Sequence, residues 1–596
     1  MITAVAERTG VDRVIVGSYV RAGDAIRINV RLQDAKTGRI ESSERVEGAN
    51  TSALFGMVDD LSKRIRVKFD RLQADTNLLT RPGAEKPGAL NWGVQHVATS
   101  SIEAYRLYVD GLDFQKRFRY EEAKPLFERA IRIDPGFASA YSKLASVEGN
   151  LGHFALREKY SEMAFRLADR VTPVERAHIE GVYYARKVAT RARAVEAHER
   201  CIQLDPGHEP CRINLASIYV RVERYEDVAR TMSALVAQGS TTPITIAYLS
   251  WAYHAMGQLE KGLAVTQQAL KAHPESSAAH RNFAISLNSL GRHDEALQSY
   301  SQARLLDPTN STNDYLYMVT QFLREDWSAA AAIIESNMAS PDETRRWQGG
   351  FLSALVHWRN GRSVAGIAAS EKAASAYKFA GQRAFYSFAR SATAHMARGD
   401  AAAAFRAAER AAVAARGADE EAEALVLQAW ALAAADRHQE SEAIVARLTS
   451  SIEAISAVRD RRNVSFAKGL VSFSRGDLKV AIANLLEVHA TLSPSVQNTG
   501  ILAPHAQLWS LLGQALYNAG RSAEAMQWFK KLSECTIEHI YDPIDYVRSF
   551  YFLGKIYEQQ GDTAKSREAY RRFVGYWKDG DLDRDRIAEA QRKIGS

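Results

Sequence analysis

One spacing recurs along this chain and limits what it can become: a small residue, a bulkier one four positions on, a second small residue three later, and a proline five after that. It reads Ala123, Phe127, Ala130, Pro135, then Ala194, His198, Cys201, Pro206, and again Ala296, Tyr300, Ala303, Pro308. Small residues let two helices approach closely, the larger side chain fills the gap between them, and the proline ends the second helix. Such pairs bury their apolar faces on neighbouring pairs, so 596 residues need not divide into several globular domains.

With a period of roughly 34 residues, this is the pattern of the tetratricopeptide repeat, two antiparallel helices per unit. The expected fold is mainly α, a tetratricopeptide-repeat α-solenoid preceded by a small, incomplete α/β module. Clear units begin near Ala104, Glu175, Glu209, Pro243, Ser277, Ala506 and Val547. Regular repeats are expected over 102–310, degenerate ones over 311–500, and C-terminal repeats over 501–580. In the degenerate stretch, helix–Gly–helix signals persist at Asn360-Gly361, Arg398-Gly399-Asp400 and Arg475-Gly476-Asp477, with longer helices expected. Dividing the span by the period gives roughly twelve or thirteen units. Residues 581–596 are highly charged and read as the polar cap a solenoid end needs.

Residues 1–72 differ. Arg13–Val20 and Ala25–Leu32 are β-branched runs around a short turn, Ile40–Val46 is a more polar edge strand, and Leu54–Leu72 carries apolar residues at helical spacing. A short helix is expected at Ile2–Thr9, and a Pro/Gly-rich linker at 73–101.

The charge balance, 77 Lys and Arg against 70 Asp and Glu, is mixed along every stretch, which describes a solvated helical surface and argues against a nucleic-acid partner. No run of about 18 apolar residues or signal pattern is present, so the chain as written is expected in the cytoplasm. If a spanning helix precedes Met1, the expectation becomes periplasmic or membrane-tethered. Cys201 falls on a small-residue position where a thiol simply packs, and this reading is favoured over a Cys201–Cys211 bridge across adjacent helices. The phosphate-binding, zinc-protease and nucleophile-elbow motifs do not occur. The histidines, among them His178, His198, His254 and His293, are read as structural, so no catalytic residue, cofactor or metal is expected.

A repeat array of this kind usually binds along its concave face. The register places Tyr183, Arg186 and Lys187 there, then Ile213, Ser217 and Arg221, then Trp251 and His254, then Arg281, Ile285 and Asn288. Cations beside Trp and Tyr suit an extended protein or peptide ligand carrying carboxylates and an apolar anchor. Ile285 stands where a carboxylate clamp for chaperone tails wants Asn, which argues against that specificity.

Two segments are more specific than the repeat code. Gly10–Gly48, with its RAGDAIRINVRLQDAKTG hairpin and the following LFGMVDDLSKRI, resembles the latter half of the TolB-amino-terminal-like module. Gly561–Ile594 (GDTAKSREAYRRFVGYWKDGDLD) is similar to the ending of a group of bacterial serine/threonine protein kinases that carry this module and a repeat array, and Arg170–Pro206 fits their irregular early repeat. The resemblance implies a non-catalytic sensor or regulatory region, with a kinase domain expected upstream because the chain has no kinase motif. A free-standing scaffold, or the sensor region of a winged-helix transcriptional regulator, is the alternative. Met1 falls inside the module, so a late start or truncation is expected, leaving the strand Arg13–Val20 with an open edge that invites self-association.

Overall fold

The computed structural model describes residues 13–35, 37–50, 53–54, 56–58, 60–65, 99, 101–116, 119–151, 153–375, 381–494 and 505–595. The expected helix Ile2–Thr9, the end of the helix Leu54–Leu72 and nearly all of the linker 73–101 lie outside these residues. The chain forms two compact units, Met1–Arg186 with Arg193–Cys211, and Lys187–Ala192 with Arg212–Ser596.

The first unit opens with a three-stranded antiparallel sheet in the order β1 (Arg13–Ala22), β2 (Ala25–Asp34), β3 (Ile40–Gly48). Gly23 and Gly38, both at positive φ, make the two connections. Alternation along β2 and β3 points Ile26, Val30 and Val46 to one face, where Met57 and Leu61 from the helical turns of 54–65 cover them. Ile15, Tyr19 and Val20 on β1 remain exposed.

From Ile102 onward the described elements are helical. In the regular repeats the described helices run 12 to 15 residues, for example Ile102–Lys116, Pro173–Tyr184 and His293–Leu306. In the degenerate stretch three of them lengthen, to 17 (Glu343–Arg359), 16 (Gln382–Ala397) and 18 (Ala457–Ser474) residues. The small/large/small code is met in full: Ala123, Phe127 and Ala130, like Ala296, Tyr300 and Ala303, have no exposed surface. A glycine on the facing helix makes the room. A Cβ at Gly111 would meet Phe127 at 2.8 Å, one at Gly513 would meet Phe529 at 2.7 Å, and one at Gly554 would meet Tyr570 at 2.6 Å. The Gly-Asp turns are helix junctions: Gly399, Gly476 and Gly561 adopt positive φ, and Asp400, Asp477 and Asp562 then cap the next helix by accepting from Ala403, Val480 and Lys565 N–H.

Two expectations need correction. Cys201 and Cys211 are bonded to each other, their Cα atoms 6.4 Å apart. The register puts Cys201 on the inner face of its helix and Cys211 on the inner face of the next, which is the distance a bridge requires. The C-terminal turn also does more than cap. Asp581 and Leu582 N–H donate to the Gly361 carbonyl, and the Asp581 carboxylate accepts from Ser363 and Val364 N–H, so it caps the helix Ser363–Ser375 from 217–218 residues away.

Candidate partner-binding site

Most of the residues assigned to the concave face are already engaged. Tyr183 stacks on Phe165 with ring centroids 4.0 Å apart. Arg186 lies in the turn after Pro173–Tyr184, its guanidinium 3.9 Å above the Tyr183 ring and donating to the Glu158 carbonyl, so it clamps its own unit. Lys187 follows in the same turn and is exposed. In the second unit, Arg221 ends its helix exposed while its carbonyl accepts from Arg459 at 2.7 Å. His254 is buried against Gly262, where a Cβ would come within 2.2 Å of Nε2. Here ring and glycine have exchanged helices relative to Phe127 and Gly111. Arg281 donates to Asn313 Oδ1 at 3.2 Å, and Asn288 donates to Thr320 at 2.7 Å while facing the His293 ring. Trp251 lies parallel to Tyr248, half-buried.

Beyond these contacts between neighbouring helices, the second unit closes on itself. One seam is built around Arg359, whose side chain is 2% exposed. Its guanidinium sits 4.6 Å from the Trp327 ring, 5.0 Å from Tyr546 and 4.7 Å from Tyr576, and it pairs with Glu325. Trp577 Nε1 donates to the Arg359 carbonyl at 3.0 Å. Arg390 pairs with Asp542 nearby, and Tyr315 and Tyr541 face each other through their hydroxyls.

The second seam joins residues some 238 positions apart. Arg459 bonds the Arg221 carbonyl and the carboxylates of Asp419 and Asp460, and Arg191 also pairs with Asp419 at 2.6 Å. Arg462 pairs with Glu223, and Ser493 donates to the Ala255 carbonyl at 2.6 Å. Burial alone would raise the Asp419 carboxyl, but Arg459, Arg191 and Arg221 hold it below its usual range. Glu423 moves the other way: burial, with Glu420 beside it, outweighs the pull of Arg459 and Arg462 and pushes it up to about 8.

Beside this seam lies a cleft of about 650 Å³. Ala255, Met256, Ile455, Val458, Leu492 and Pro494 supply apolar wall, and Glu223, Arg224, Glu226 and Gln258 supply polar edge. Val458 is 58% exposed. An open trough with mixed walls of this kind accepts a side chain or two of an extended segment.

Sequence reasoning missed the seams, although they left a signal. Glu223 and Glu325 stand at positive φ (60° and 59°), at helix ends where the repeat otherwise places glycine. The carboxylates of these two meet Arg462 and Arg359, whereas Asp436, in the same conformation, lies in solvent.

A tetratricopeptide-repeat family model matches residues 249–311 and 496–536, and a second one matches 547–576. No curated protein matches the sequence. Among solved structures the chain is similar to that of the APC/C hetero-tetramer Cut9–Hcn1 (13% identity over 88% of this chain and 81% of that one, TM-score 0.38). It is similar also to YrrB, a TPR protein with an unusual peptide-binding site (17% identity, 37% and 94%, TM-score 0.21). A third is a monomeric IFIT1 mutant with m7Gppp-AAAA (14% identity, 79% and 90%, TM-score 0.30). Similarity at this level says nothing about what this chain binds.

Proposed function

We propose that this chain is a non-catalytic scaffold that binds a protein or peptide segment, and that it serves as the sensor or regulatory region of a bacterial signalling protein resembling the repeat-containing serine/threonine kinases. The observation that carries the reading is the cleft beside the second seam of the tetratricopeptide array, with its apolar wall open to solvent. A short extended segment with an apolar anchor fits there, resting on Met256, Ile455, Val458 and Leu492. The concave residues Trp251, Arg221 and Lys187 would extend the same surface. Arg281, Asn288 and His254 support the architecture of the second unit, from which that surface is built, and Tyr183 and Arg186 support the first unit. No helix among the described residues is long and apolar enough to cross a membrane. Self-association through the β1 edge is a separate part of the proposal.

The test uses peptides selected from a random displayed library against the full chain. Val458→Glu lowers their affinity at least about tenfold, equivalent to about 1.4 kcal/mol. Val413→Glu, an exposed valine of the second unit that does not line the cleft, leaves it unchanged. Equal losses in the two variants, or none in the first, would count against the cleft.

A further inference from the structure

The segment that ends one repeat and begins the next reads His198-Glu199-Arg200-Cys201 and then His208-Glu209-Pro210-Cys211, the same His-Glu-x-Cys unit twice at an interval of ten. A helix puts residues three apart on one face, and in the fold the two units cross: His208 lies beside Cys201, and His198 is grouped with Cys211. His198 and Cys201 lie on Arg191–Leu204, while His208 precedes Glu209–Arg221 and Cys211 lies within it. His178, from Pro173–Tyr184, completes the group.

These side chains converge inside the first unit. Nitrogen and sulfur atoms of His178, His198 and Cys211 lie within 4.8 Å of one another, and so do those of Cys201, His208 and Cys211. His178 Nδ1 is 3.5 Å from Cys211 Sγ, and His208 Nδ1 is 3.5 Å from Cys201 Sγ. Cys201, Cys211 and His198 have no exposed surface, and His178 has little. His198 occupies the socket that Phe127 and Tyr300 fill elsewhere, over Gly181, where a Cβ would meet its ring at 2.4 Å. An apolar ring would suffice there. Instead both nitrogens of the His198 imidazole are buried with no hydrogen-bond partner among the described residues, an arrangement that costs stability unless a ligand answers it.

We infer that the reduced chain holds one zinc-class divalent cation here, on the thiolates of Cys201 and Cys211 and two imidazoles drawn from His178, His198 and His208. Two sulfurs and two nitrogens in a closed, buried site are the donor set of a structural tetrahedral zinc centre. The disulfide seen in the structure is then the oxidised, metal-free state of the same site. Passing between the states requires a two-electron reductant, for which a dithiol serves. It delivers two electrons and two protons, the Sγ–Sγ bond breaks, two thiols form, and the dithiol becomes its own disulfide. The cation then displaces the two thiol protons as two metal–sulfur bonds form. Oxidation thus exchanges a metal crosslink between two helices for a covalent one.

The test is a titration of the full chain with Co²⁺ alone, after reduction by a phosphine and removal of the reductant. The expected result is the visible bands of tetrahedral, thiolate-bound cobalt(II), saturating at one ion per chain and bleached by Zn²⁺. The same chain left oxidised gives no bands, the Cys201→Ser, Cys211→Ser double variant gives none after reduction, and Cys535→Ser keeps them. Absence of the bands in the reduced wild-type chain overturns the proposal whatever the variants do. Bands that survive in the double variant, or that vanish with Cys535→Ser, overturn it as well.

Discussion

At the scale of the residue, the informative positions are those where a side chain breaks the repeat code in order to make a distant contact. Glu223 holds a left-handed conformation that costs a non-glycine residue about 1 kcal/mol or more. Its carboxylate pairs with Arg462, whose side chain is nearly buried and also donates to the Thr491 carbonyl. Glu223→Gly relieves the strain but strands that cation, and breaking a buried pair costs about 3–5 kcal/mol. The variant should therefore be less stable than the parent by about 2 kcal/mol or more in urea denaturation. Asp436 is the control, because it shares the conformation (φ 59°) while its side chain lies in solvent. Asp436→Gly should gain stability, by about 1 kcal/mol. Shifts of the same sign in both variants would mean the Glu223–Arg462 pair contributes nothing.

At the scale of the element, local rules carried the reading a long way. The hairpin and the polar third strand were legible because β-branched alternation and Gly turns are local. The Ala/aromatic/Ala code and the Gly-Asp junctions were legible because each concerns one helix pair. The candidate groove was read less well, for a physical reason. A register fixes which way a side chain points, but not whether a later part of the chain arrives to meet it. Arg281 and Asn288 point as the register says, and meet Asn313 and Thr320 of the next repeat. The duplicated His-Glu-x-Cys unit was visible in the sequence, but each cysteine taken singly looks like an ordinary packing residue. The sheet offers its own prediction. β1 pairs only with β2 among the described residues and carries exposed Ile15, Tyr19 and Val20. Light scattering should therefore show the average mass of the chain rising with concentration, and Ile15→Lys with Tyr19→Lys should hold it at the single-chain value. A wild-type chain that stays monomeric throughout would dispose of this contact.

At the scale of the whole molecule, the second unit depends on ionised arginines and on carboxyls that folding keeps protonated. Burial, with Asp542 alongside, pushes Asp545 up to about 7 from an ordinary 3.8, and Glu423 rises to about 8 from 4.5. A carboxyl raised in the folded state favours folding most at low pH, and that contribution is lost as pH climbs through the folded value. The opposite limb comes from His505 and His539, both held down to about 4 by burial, which favour folding above 6.5 and lose that contribution as pH falls from there to about 4. The two pairs oppose each other between about pH 4.5 and 6.5, so the melting temperature should be nearly level there and fall between about pH 6.5 and pH 8, where only the carboxyls still titrate. Asp545→Asn with Glu423→Gln should remove that fall and uncover a rise between about pH 4 and 6.5 from the histidines. An unchanged fall above about pH 6.5 would mean that these two carboxyls ionise in the folded chain without cost.

The same scale carries the central claim, that the closed second unit is built to receive a partner segment beside its seam. Hydrogen exchange of the full chain, with and without a selected peptide, tests it most directly. The account predicts slowed exchange concentrated in 222–226, 255–258, 454–458 and 491–494, the stretches that line the cleft. Protection confined to other helices, with those four stretches unchanged, would contradict it.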